Sequence, residues 1–109
     1  MQTNHRLKDH GANMLSNANS SDEQEFGNFY LSRLLGFNIT YRDALCVVKF
    51  TAISTMFNPQ GSLHGGIIAT AMDISMGHLL HKITGSGATL EMNIKYLLSI
   101  TGGNITCEG

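Results

Sequence analysis

The run "LHGGIIATAMDISMGHLLHKI", Leu63 to Ile83, limits what this chain can fold into more than any other stretch. It shows no strand alternation and is far too long for a buried strand, so it reads as a helix. Its residues are apolar nearly all round, and a helix of that kind has to be covered by other elements. A sheet wrapped around it is the simplest cover, which predicts an α+β domain with one long central helix laid on an antiparallel sheet. Two features of this run oppose folding: the pair Gly65–Gly66, because glycine is a poor helix former, and Asp73, because an isolated buried carboxylate is costly to desolvate.

The flanking sequence supplies the rest of such a domain. "SSDEQEFGNFYLSRLLGF" predicts a short amphipathic helix: Ser21 and Gln24 have capping-box spacing, Phe26, Phe29, Tyr30, Leu34 and Leu35 recur at helical intervals, and Gly36 ends it. "FNITYRDALCVVKFTAIST" is rich in β-branched and aromatic residues and is interrupted by the polar "YRDA", the pattern of a hairpin. "ATLEMNIKYLLSI" follows a glycine-rich break and reads as a strand, and "TGGNITCEG" as a turn entering another. A chain of 109 residues holds one such domain. Residues 1–20 are polar with little to bury and are expected to form a mobile leader, leaving residues 21–109 as the domain.

Composition removes several functions. A net charge of −1 gives no electrostatic footprint for nucleic acid. Cys46 and Cys107 lie far apart without CxxC spacing, so buried thiols are expected and neither a zinc site nor a disulfide framework is indicated. His78 and His81 stand three apart with no third ligand beside them, which suits helix-end histidines favoured by the dipole and not a metal site. The N-terminus lacks the apolar core of a signal peptide, and no stretch is long enough to span a membrane. A soluble, cytoplasmic protein without membrane or nucleic-acid partners is the expectation.

The chemistry is concentrated on the central helix. At about 100° per residue, Gly66, Thr70, Asp73 and Gly77 fall in one narrow, small and polar sector. A carboxylate held against an apolar wall is a better base toward water than an exposed one, although most buried carboxylates are simply paired or hydrogen-bonded. Periodicity leaves both readings open for Asp73. If the helix starts near Gly65, its first amides point outward at the positive end of the dipole, where an anion or a developing oxyanion is stabilised. Glycine there permits close approach of a substrate, or only makes room for a crossing strand. His64 is either bonded to loop backbone or in contact with substrate.

"NPQGSLHGGIIATAMDISMG" followed by "ATLEMNIKYL" resembles the hotdog-fold acyl-CoA thioesterases of the phenylacetate-degradation type, which share an Asn, a Gly-containing loop, HGG, an Asp on the central helix and a strand opening in Ser or Thr. The likeness runs from about Phe26 to the end. It implies that Asp73 is the catalytic carboxylate, as base or nucleophile, and that Gly65 offers its N–H to the thioester carbonyl. His64 and Asn58 would support the other side of the reacting group, and Thr89 would help hold the water. It further implies a homodimer or dimer of dimers with the site shared between subunits, a coenzyme A thioester as substrate, and no separate cofactor or metal.

Members of that family continue beyond the segment matching "TGGNITCEG" with the rest of that strand and two more, so the resemblance implies that the last strands are missing here. A non-catalytic acyl-CoA-binding module or an inactive fragment is the alternative, and a hydratase of the same broad fold would want a different His and carboxylate arrangement. Fold alone does not choose among them.

Overall fold

A computed structural model describes residues 13–85, 87 and 100–109. Helical residues 13–19 (α1) precede α2 (Tyr30–Leu34), the strands β1 (Asn38–Arg42) and β2 (Leu45–Ala52), a 3-10 turn (Ser54–Met56), the long helix α3 (Gly65–Thr84) and β3 (Gly103–Glu108). The architecture is α+β, as the sequence predicts.

α3 is defined at both ends. His64 is its N-cap, and its Nδ1 accepts the Gly66 N–H at 3.0 Å. Gly85 ends it in the left-handed region at φ 81°, donating its N–H to the His81 carbonyl at 2.7 Å, while His81 and Lys82 place basic groups at the negative end of the dipole. Ala71, Ile74, Ser75 and His78 are its buried positions, spaced three and four apart, so one face is turned inward.

Among the described residues that face lies on three antiparallel strands in the order β1-β2-β3. The β1–β2 hairpin turns at Asp43, whose φ of 54° supplies the left-handed residue that a tight turn needs. Along β2, Cys46, Val48 and Phe50 are buried while Lys49 and Thr51 are exposed, and β3 pairs Cys107 against Val48 and Ile105 against Phe50. Phe37, Val48, Phe50, Ile53, Met56, Leu63, Ala71, Ile74 and Cys107 form the core, with the Phe37 and Phe50 ring centroids 4.8 Å apart. Both cysteines are free and buried, as expected, and burial pushes both thiols up from their ordinary range.

Three features differ from the expectation. First, the helix expected from Ser21 is confined to Tyr30–Leu34. Glu25 and Asn28 exchange backbone hydrogen bonds at 3.0 Å around a turn in which Gly27 has φ 89°, a conformation that no α-helix accommodates. Ser21 Oγ accepts the Glu23 N–H within a local turn, and the helix that does form is opened by Ser32, whose Oγ accepts the Phe29 N–H and donates to the Phe29 carbonyl. Second, part of the stretch expected to be a mobile leader is structured. Residues 13–19 are helical, Ala18 is fully buried, and Met14 packs on the core. Third, among the described residues the flank of α3 away from the sheet carries exposed Met76, Leu80 and Ile83, so its all-round apolar character is only partly buried. The strand expected within "ATLEMNIKYLLSI" falls almost wholly on residues 88–99, outside the described residues.

Candidate active site

The loop leading into α3 is shaped by Asn58. Its Oδ1 accepts the N–H groups of Gln60 at 3.0 Å and Ser62 at 3.2 Å, and its Nδ2 donates to Ser62 Oγ at 3.0 Å. The main chain closes the same turn, with the Asn58 N–H on the Ser62 carbonyl and Gly61 at φ 86°. An Asn at this position satisfies loop amides that would otherwise lack partners. The loop is then pinned at its exit: the His64 N–H donates to the Met56 carbonyl at 2.8 Å and the Leu63 N–H to the Ile100 carbonyl at 2.6 Å.

His64 is exposed. Because its Nδ1 accepts the Gly66 N–H, the neutral ring carries its proton on Nε2, which becomes a donor directed away from the helix terminus. This corrects part of the expectation for the helix start. The Gly66 N–H is taken up by His64 Nδ1, and the Ile67 N–H by the His64 carbonyl at 3.0 Å. Neither is turned outward to a ligand. Gly65 is the first helical residue.

Asp73 is the sole carboxylate of α3 and is half-buried, two turns beyond the loop. Thr70, on the same sector, donates its hydroxyl to the Gly66 carbonyl at 2.8 Å, which removes it as a ready substrate donor. His64 and Asp73 are nine positions apart, about 13 Å along the axis at the helical rise. Thr89 lies outside the described residues.

The histidine pair at the end of α3 has a role that spacing did not reveal. His78 is buried, and its Nε2 accepts the Gly27 N–H at 3.0 Å; the Phe26 ring stacks on His81 at 3.6 Å between centroids. Among the described residues no group of three or more His, Cys, Asp or Glu is placed to hold a metal ion. Nor is any helix among them long and apolar enough to cross a membrane. A second unanticipated residue is Arg33. Buried in the last turn of α2, it donates to the carbonyls of Ala18, Ser21 and Glu23 and to Asn28 Oδ1. Its helical position gave no signal of this, since its partners are carbonyls set by the path of the preceding chain.

Part of the chain and its fold are similar to known proteins. Residues 60–109 match the thioesterase superfamily, a stretch that contains His64, Gly65, Asp73 and Thr89 and begins just after Asn58. The fold is shared with a conserved protein of Pseudomonas aeruginosa at TM-score 0.69 and 24% identity, covering 78% of this chain and 71% of that one. It is shared also with the PaaI protein of E. coli, from the phenylacetic acid degradation operon, at TM-score 0.66 and 20% identity, covering 88% and 68%. A thioesterase-superfamily protein matches at TM-score 0.61 and 22% identity, covering 88% and 70%. No curated protein matches the sequence. The chain thus has the hotdog fold, with its antiparallel sheet laid on the long helix α3.

Proposed function

We propose that this protein hydrolyses acyl- or aryl-CoA thioesters to the free acid and coenzyme A. Water attacks the thioester carbon while Asp73 takes its proton, or Asp73 attacks first and water releases the acyl group from it. In either path the C–S bond breaks and the coenzyme A thiolate leaves and is protonated. The Gly65 N–H and the His64 Nε2–H stabilise the charge that develops on the carbonyl oxygen, the use of preorganised donors that contributes most in such reactions. Asn58 holds the loop that sets both. Thr89 is assigned to the attacking water by the sequence resemblance alone.

The observation that carries this reading is the placement of donor and carboxylate on one helix, His64 capping its start and Asp73 two turns along, within the stretch that matches the thioesterase superfamily. Their separation of about 13 Å along the helix supports a site that takes its donors from one copy and its carboxylate from another, in a homodimer, alone or paired.

Subunit mixing tests it. His64→Ala and Asp73→Asn proteins are each expected to release little coenzyme A thiol. Unfolded together and refolded, half the dimers pair one of each and hold one intact site, returning about a quarter of the parent turnover. No recovery in a mixed dimer verified by mass would exclude the shared site. A non-catalytic acyl-CoA binder would bind thioester with no release by the parent protein.

A further inference from the structure

Residues 25–28 form a turn whose tip rests on the C-terminal half of α3. Two interactions hold it there. The Gly27 N–H donates to His78 Nε2 at 3.0 Å, and Phe26 lies between the two imidazoles, stacked on His81 at 3.6 Å and 3° and edge-on to His78 at 4.8 Å. The turn itself is preformed. Glu25 and Asn28 bond to each other through both backbone groups, and Arg33 gathers the carbonyls of Ala18, Ser21 and Glu23 together with Asn28 Oδ1. Separation of the tip from the helix therefore costs few contacts beyond those at His78 and Phe26.

The hydrogen bond fixes the state of His78. An imidazole nitrogen that accepts an N–H carries no proton, so the ring must be neutral with its proton on Nδ1. A proton added at Nε2 would remove the acceptor and set a donor against the Gly27 N–H. We propose that the 25–28 turn is a pH-operated latch, closed on α3 while His78 is neutral and released when His78 takes a proton. With the latch closed, Glu25 and Phe26 of the turn line a groove of about 260 Å³ together with Gln24, Phe29 and His78, and release takes that lining apart.

The surroundings of His78 set where the latch works. Burial holds its pKa below the ordinary imidazole value, and the neighbouring His81 pushes in the same direction. Glu25 is the titratable group that the turn contributes to the same groove. Lys82 is directed away, over the Tyr41 ring at 4.2 Å. One proton couples to opening, so the closed-to-open ratio changes by at most about tenfold per pH unit, and only between the lowered pKa and the ordinary one.

Amide exchange of the full chain, read by NMR between pH 5 and 8 and corrected for the intrinsic pH dependence of exchange, is the test. The Gly27 amide should lose protection as pH falls, with the midpoint at which the His78 ring itself titrates, and the ring should show the Nδ1–H tautomer at neutral pH. His78→Gln should flatten the dependence. His81→Gln should keep it and move the midpoint upward, because a neighbouring positive charge is gone. Protection of Gly27 that ignores pH, a midpoint that differs from that of His78, or a dependence that survives His78→Gln would overturn the latch. If His78→Gln does not fold, the tautomer and the paired midpoints in the parent protein decide, and an Nε2–H tautomer at neutral pH would overturn it.

Discussion

His64 Nδ1 accepts the backbone N–H of Gly66 at 3.0 Å, so one side chain both caps α3 and turns its remaining ring nitrogen outward as a donor. The two roles separate by substitution. His64→Ala removes the cap and should cost about 1 kcal/mol of stability, with turnover lowered as well. His64→Asn restores a good cap but leaves no donor at the distance of Nε2, so the melting temperature should return while thiol release stays low. A variant in which activity returns together with stability would show that His64 acts only as a cap.

Asp73→Asn changes the attacking or proton-accepting group while keeping its shape. Thiol release should fall about 10²-fold or more, the usual cost of losing a catalytic base, while circular dichroism and the melting temperature remain near those of the parent. Turnover within about tenfold of the parent would exclude it.

Arg33 offers a stability prediction with a large amplitude. It holds three main-chain carbonyls and the Asn28 amide oxygen from a buried position, and truncation leaves those acceptors without a partner. Arg33→Ala should destabilise by roughly 3 kcal/mol in urea unfolding, from several charge-assisted bonds lost at once. Arg33→Lys should recover less than half of that, because a single ammonium does not span acceptors arranged around a planar fork.

The lowered pKa of His78 makes a statement about stability against pH. The unfolded chain binds a proton at the ordinary imidazole value, about 6.5, and the folded chain only at a lower pH. Between the two the unfolded state holds more protons, so stability rises with pH across that window and is full above about 6.5. As pH falls through the folded pKa this contribution is lost, and below it the loss is complete. Urea unfolding at a series of pH values should show the slope, and His78→Gln should remove it.

What the sequence determined by itself was periodic or local. The unbroken apolar run with a glycine after it marked α3 to within a residue or two, and the polar "YRDA" between β-branched stretches marked the hairpin, because side-chain period and turn chemistry are properties of neighbours in the chain. The same pattern located His64, Gly65 and Asp73 as the residues of interest. It misread residues 21–29, where helical spacing of Phe26 and Phe29 was overridden by the left-handed Gly27 and by contacts made far away. Tertiary structure decided those contacts: the Gly27 N–H meets His78, 51 residues on, and Arg33 meets carbonyls whose positions depend on the fold of the segment before it. It also decided which face of α3 is inward, by placing β3 beside β2, and which N–H groups at the helix start are already bonded. A sequence records which faces are apolar. Which partner arrives at each face, and which polar groups it leaves available, follows only from the packing of elements distant in the chain.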